Sequence, residues 1–395
     1  MEIDSKNPII IYIEKILEKK PDSKKIILYG CGTLGQIIYM YLQIMGKKVA
    51  YFVDNDVEKQ GTRQYDTEIK SVYDLLYEES HVCFFCIKYG KKEAKNDLLA
   101  LGLIEDRDYF DIARFWDRRE GHEILDCFCG VSWVSDMEGY KRWGEDTAKH
   151  RVLILGGSTS DPTYTSFNSW GYYFYNMLKE KFQSDVVVYN GSVIGYTSAQ
   201  ALLRMMRDGL ILKPDIVIHM SGANDAHEEG RYVMVSEYLQ YVLEKLFSES
   251  GNKDQFNSWT QNDRRMQNTK SCSFGLQTEQ DNASRWENNL RMTKAICSEF
   301  GILYYAILEP TSAVGKSKDM VISRLNTLYL PEERVKARRD FYRTARDLCK
   351  KYSYIYDMSD VFEDVEGSVY FDHVHYTEYG HKILAEKIFE LVEQG

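Results

Sequence analysis

Four short segments hold residue types that together could move an acyl group. They are Gly156-Gly157-Ser158-Thr159, Asn190 to Gly195, Gly222-Ala223-Asn224-Asp225 and Asp372-His373-Val374-His375. They supply a hydroxyl nucleophile, backbone and amide donors for an oxyanion, an imidazole base and a carboxylate to orient it. Asp372 and His375 are three residues apart, so the carboxylate can reach Nδ1 within one turn and leave Nε2 to take a proton from Ser158. His373 and His381 serve as internal controls: the first is expected to face solvent, and the second falls on a closing amphipathic helix.

The elements that must position these groups are also legible. Ser158 follows the apolar run RVLIL (residues 151–155), Gly195 lies beyond DVVVY (185–189), and Asn224 lies beyond DIVIHM (215–220). Three turns after three short β-rich runs place the groups at the carboxyl ends of parallel strands, where open α/β sheets bind ligands. Ser158 is expected on a strand-to-helix turn whose free N–H groups face a developing oxyanion. A fourth run, Ile302 to Leu308, ends at Glu309-Pro310-Thr311 and reads as a supporting strand with a structural role.

The order Ser, Gly, Asn, Asp-x-x-His resembles the SGNH hydrolase family, also called GDSL-like esterases and lipases, over about residues 150–395. The resemblance implies a flavodoxin-like α/β/α domain with Ser158 as nucleophile, Gly195 and Asn224 completing the oxyanion hole, and Asp372 and His375 as the acid–base pair. Gly157 stands where that family often has aspartate, a variation expected to leave the nucleophile and oxyanion hole intact while altering the local support of the turn.

The N-terminal part reads differently. KKIILY (24–29) leads into Gly30-Cys31-Gly32-Thr33-Leu34-Gly35, an amphipathic helix to about Met45, and a strand Val49 to Val53 ending at Asp54. This is G-x-G-x-x-G between a strand and a helix with an acid beyond, the arrangement of a dinucleotide site. Gly30 would make the turn, Gly32 admit a pyrophosphate, Gly35 allow helix packing and Asp54 accept from a ribose hydroxyl. Residues 24–113 resemble the Rossmann-like domains of bacterial sugar-modifying enzymes, including the nucleotide-sugar-binding domain of sugar N-acyltransferases. That resemblance implies a nucleotide or nucleotide-sugar ligand rather than hydride transfer. An empty, structural site is the competing reading.

With 395 residues and 44% hydrophobic content, the chain can bury more than one core. The expected division is a Rossmann-like parallel-sheet domain over 1–118, a connector over 119–149 and the hydrolase domain over 150–395. An irregular insertion is expected at 248–282 after a helix at Val235 to Phe247, either as a surface excursion or as a lid. A charged helix is expected after Pro331, through Lys351. No run is long enough to span a bilayer, and the N-terminus reads as a small amphipathic helix rather than a signal segment. A net charge of −10 and a pI near 5.5 argue against nucleic acid as the partner. The eight cysteines lack disulfide or zinc spacing, Cys83-x-x-Cys86 included, and fit buried thiols in a cytoplasmic protein.

These readings combine into a serine esterase cleaving an O-acyl, expected to be O-acetyl, ester of a carbohydrate. No metal is needed and no cofactor is required for hydrolysis, and a homo-oligomer is left open. The alternatives are an O-acyltransferase to a sugar hydroxyl and a non-catalytic sugar-nucleotide-binding module.

Overall fold

The computed structural model describes residues 7–20, 25–78, 80–87, 90–116, 141–162, 164, 168–207, 209–226, 282–315, 318, 321–322, 324–325 and 332–394. Two α/β sheets organise them. The first has the order β3-β4-β2-β1-β5-β6, built from β1 (Lys25–Tyr29), β2 (Val49–Val53), β3 (Arg63–Gln64), β4 (Thr67–Lys70), β5 (His81–Phe85) and β6 (Tyr109–Asp111). All its pairings are parallel except the β3–β4 hairpin. Three helices accompany it: α1 (Pro8–Lys19), α2 (Thr33–Ile44) and α3 (Lys91–Ala100). Asn7 starts α1, its Oδ1 accepting from the N–H groups of Ile9 and Ile10, with Pro8 at the position where its missing N–H costs nothing.

The second sheet runs β12-β11-β10-β8-β9-β7. Its strands are β7 (Lys141–Trp143), β8 (His150–Gly156), β9 (Val186–Asn190), β10 (Ile216–Ser221), β11 (Leu303–Leu308) and β12 (Ile355–Asp357). Counting the five parallel strands β8 to β12 in chain order gives 2-1-3-4-5, the flavodoxin-like arrangement. Its topological switch point lies between β8 and β10, the position at which open α/β sheets bind ligands. Parallel strands are covered on both faces, which is why VLIL and VVVY are unbroken apolar runs. On one face α4 (Trp170–Lys181) packs against α8 (Glu378–Gln394), with Phe174 and Phe389 ring centroids 6.4 Å apart. The other helices are α5 (Ser198–Arg207), α6 (Asn282–Glu299) and α7 (Glu332–Lys351), the last two meeting at Trp286 and Phe341, 5.9 Å apart.

The structure differs from the sequence expectation in three places. Lys141–Trp143, assigned to the connector, is an antiparallel edge strand on β9, with Arg142 opposite Tyr189. The helix expected directly after Ser158 is a single turn, in which the Gly157 carbonyl accepts from the N–H groups of Ser160 and Asp161. α4 begins only at Trp170, after Ser169. The expected helix at 235–247 and insertion at 248–282 lie outside the described residues, apart from Asn282, where α6 starts.

The two sheets share a core in which Ile9, Ile13 and Tyr41 join Phe371, Leu384 and Ile388. Polar contacts cross the same boundary. Asn7 Nδ2 donates to Tyr41 Oη at 3.0 Å and to the Tyr370 carbonyl at 3.3 Å, and Tyr41 Oη donates to the Phe371 carbonyl. All of these groups are buried. Among the described residues no helix is long and apolar enough to cross a membrane.

Candidate active site

The carboxyl ends of β8, β9, β10 and β11 converge with the loop before α8. Ser158, half-buried, follows β8 with its Oγ 2.8 Å from His375 Nε2. His375 Nδ1 lies 2.7 Å from Asp372 Oδ2, while Asp372 Oδ1 accepts from the N–H groups of Val374 at 2.8 Å and His375 at 2.7 Å. Burial alone would raise the Asp372 carboxyl, but the His375 charge and these hydrogen bonds hold it well below the usual carboxylate range. An ionised Asp372 only accepts, so Nδ1 carries the ring proton and Nε2 presents its lone pair to the Ser158 hydroxyl. Tyr164 lies against the imidazole with ring centroids 4.2 Å apart, and Phe371 stacks at 5.8 Å.

Asn224 sits beside the nucleophile turn. Its Nδ2 donates one hydrogen to the Tyr196 carbonyl at 2.9 Å, which leaves the second for a ligand. A Cβ built on Gly157 would come within 2.7 Å of that same Nδ2. Glycine at 157 is therefore what lets Asn224 lie against the turn, and an aspartate there would have to displace it. Gly195 is exposed, with φ +77° and open space where a Cβ would stand. Its loop is held by Asn190, whose Oδ1 accepts from the Ser192 N–H and whose Nδ2 donates to the Ser160 carbonyl at 2.9 Å.

Several supporting contacts here were not anticipated from sequence, which gave the end of β11 a structural role only. Glu309, at the end of β11, accepts from Thr159 Oγ1 at 2.5 Å and from the Ala223 N–H at 2.7 Å. Asp225 is half-buried and accepts from the Ser198 hydroxyl and N–H, tying the Asn224 loop to the start of α5. Trp286 Nε1 donates to Ser221 Oγ at 2.9 Å, holding the start of that loop from α6. For Glu309 the detectable signal was a carboxylate immediately after an apolar run, in LYYAILE. The controls separate: His381 Nδ1 accepts from the Trp170 N–H at 3.1 Å, and burial pushes its imidazole down to about 3. His373, expected to face solvent, is half-buried, and its carbonyl accepts from Ser312 Oγ at 2.7 Å.

In the first sheet, the glycine turn joins β1 to α2. A Cβ on Gly35 would lie 1.9 Å from the Gly30 carbonyl, so helix and turn pack at backbone distance. Gly32 is open and stands at a helix start with no side-chain cap, which suits a phosphate. Asp54 fits the nucleotide reading less well: its Oδ2 already accepts from Cys31 N at 3.1 Å and Cys31 Sγ at 2.9 Å, and Lys59 pairs with its Oδ1 at 3.4 Å. A carboxylate thus occupies one of the loop donors that an incoming phosphate would use. Cys83 and Cys86 are buried free thiols, and burial pushes the Cys83 thiol up to about 12. Among the described residues no group of three or more His, Cys, Asp or Glu side chains could hold a metal.

The model of the GDSL-like lipase/acylhydrolase family matches residues 137–388, more than half of the chain. No curated protein matches it significantly. Among solved structures, Axe2, an acetylxylan esterase from Geobacillus stearothermophilus, is similar at 17% identity and TM-score 0.37, covering 62% of this chain and 94% of its own. The acetyl xylan esterase AlAXEase is similar at 16% identity and TM-score 0.38, covering 61% and 99%. A gut microbial diltiazem-metabolizing enzyme is similar at 12% identity and TM-score 0.37, covering 63% and 48%.

Proposed function

The chain belongs to the GDSL-like lipase/acylhydrolase family and is a carboxylic ester hydrolase, and from that premise we propose that it releases an acyl group, an acetyl, from an ester of a carbohydrate through Ser158. The observation that carries this reading is the continuous relay from Ser158 Oγ through His375 to Asp372, with contacts of 2.8 Å and 2.7 Å. Ser158 Oγ attacks the ester carbonyl as its proton passes to Nε2, and Asp372 stabilises the imidazolium without taking the proton. The Ser158 and Gly195 N–H groups and the free Asn224 amide hydrogen hold the tetrahedral oxyanion. His375 then protonates the departing sugar hydroxyl. Water, activated by the same imidazole, attacks the acyl-serine and releases the acid. No step passes through the glycine turn of the first sheet.

The carbohydrate assignment rests on the likeness of residues 24–113 to nucleotide-sugar-binding domains. Ser158→Ala should lower hydrolysis of a small activated acetate ester by about a thousandfold or more, because triad members act as a unit. A serine-directed phosphonate should label Ser158 alone. Acetylated sugars and nucleotide-sugars, followed by mass spectrometry, should lose acetyl as free acetate. Transfer of the acetyl to a sugar acceptor instead would reassign the protein as an acyltransferase, and a Ser158→Ala variant retaining most of the rate would refute the mechanism.

A further inference from the structure

We propose that Glu309 is a positioning residue for this reaction: its carboxylate clamps the turn bearing Ser158 to the loop bearing Asn224 and so sets the distance between nucleophile and oxyanion donor. The inference deepens the esterase reading and rests on it.

The two oxygens of Glu309 serve different segments. Oε2 accepts from the hydroxyl of Thr159, the residue after Ser158, at 2.5 Å; Oε1 accepts from the N–H of Ala223, the residue before Asn224, at 2.7 Å. These partners lie 150 and 86 positions away in the sequence, so no local turn geometry could make the link. Thr159, Ala223 and Glu309 are each 3% exposed or less. Bonds to a carboxylate shielded from water are short and strong, and each holds its donor to a few tenths of an ångström.

The carboxylate is itself anchored. The Glu309 N–H donates to the Ser221 carbonyl at 3.2 Å, and Tyr342 Oη donates to the Glu309 carbonyl at 3.0 Å. The next carbonyl, of Pro310, accepts from Tyr376 Oη at 2.9 Å, and Tyr376 follows His375. The end of β11 therefore touches the serine turn, the asparagine loop and the base-bearing loop at once. With glycine at 157, the serine turn has no acid at that position. Glu309 supplies a carboxylate from the end of β11, on the far side of β10 from β8, where it leaves room for Asn224. Burial raises the Glu309 carboxyl, and the hydrogen bonds from Thr159 and Ala223 oppose that rise.

Three variants of the full chain test the clamp by kcat and KM on a small activated acetate ester, with the rate of phosphonate labelling as a transition-state probe. Glu309→Ala removes both arms and should lower kcat and the labelling rate about a hundredfold, the effect of losing one oxyanion donor, with KM within about twofold. Glu309→Gln should stay within about tenfold of wild type. Its carbonyl can accept from Ala223, and its amide can donate to Thr159 Oγ1, which then acts as acceptor. Thr159→Val removes only the serine-side arm and should lower kcat about tenfold, again at unchanged KM. If Glu309→Ala fails to melt cooperatively, Thr159→Val decides. Glu309→Ala or Thr159→Val with kcat within threefold of wild type would overturn the clamp, as would losses that fall on KM. A silent Glu309→Ala beside an inactive Ser158→Ala would refute the clamp alone, whereas an active Ser158→Ala would refute the esterase reading beneath it.

Discussion

Asp372→Asn changes one atom in the relay, and the surrounding hydrogen bonds dictate how the new side chain must lie. Oδ1 of Asp372 accepts two backbone N–H groups, from Val374 at 2.8 Å and His375 at 2.7 Å, while Oδ2 faces His375 Nδ1 at 2.7 Å. An asparagine has one oxygen to give. It must keep that oxygen against the two N–H donors, because the reverse placement would set an amide NH2 against both of them. The NH2 then faces Nδ1 and forces it to become an acceptor, so the ring proton moves to Nε2. Nε2 lies 2.8 Å from Ser158 Oγ and no longer has a lone pair for the serine proton. The expected cost in kcat is about ten thousandfold, or about 5.4 kcal/mol of barrier. The assay is turnover of an aryl acetate whose leaving group needs no protonation, so the loss reports removal of the base rather than the acid. Ser158→Ala sets the baseline, and nitrogen-15 NMR of the imidazole should show the proton on Nε2. A variant that is folded, carries the altered tautomer and retains more than a tenth of wild-type kcat would refute the reasoning.

Other outcomes follow from the same geometry. Asn224→Ala should lower kcat about a hundredfold with KM nearly unchanged, since the amide hydrogen not used by the Tyr196 carbonyl is the one available to the oxyanion; a loss confined to KM would contradict this. Burial holds both His219 and His381 neutral with pKa values pushed down to about 3. Unfolded imidazoles titrate near about 6.5, so the unfolded chain binds more protons below that pH. Stability should therefore fall as pH drops from about 6.5 toward 3, by up to about 2.7 kcal/mol per pH unit for the two together, and urea unfolding curves that superimpose at pH 7 and pH 5 would refute it. A nucleotide or nucleotide-sugar that binds the glycine turn should raise the melting temperature of the full chain, and Gly32→Val should abolish the rise by filling the open space there. A rise that persists in Gly32→Val would move the ligand elsewhere.

The candidate nucleophile and oxyanion donors were legible because each sits after an unmistakable strand. The runs before Ser158, Asn190 and Ser221 are apolar for the reason that parallel strands are covered on both faces, and Asp-x-x-His needs only local geometry. What secures those groups was not legible, since the Glu309–Thr159 and Asp225–Ser198 pairs join ordinary residue types far apart in the chain. The Gly157–Asn224 approach was hidden for the same reason. The edge strand Lys141–Trp143 escaped notice because three residues carry no readable period and owe their conformation to β9. In the first sheet the glycine spacing gave the turn and its packing, but it could not show that Asp54 folds back onto Cys31.

The contacts from Asn7 and Tyr41 to the carbonyls of residues 370 and 371 span 363 and 330 positions and end one or two residues before Asp372. Closing loops of that length is entropically unfavourable and slow relative to forming either sheet's local crossovers. During refolding, β8 and its serine turn can assemble from neighbouring segments, whereas the stretch just before Asp372 gains these two contacts only once α1 and α2 have docked on the far end of the chain. Ester cleavage should therefore be among the last properties to return after dilution from denaturant. A protease cut that frees α1 should likewise silence the serine without touching the sheet that carries it.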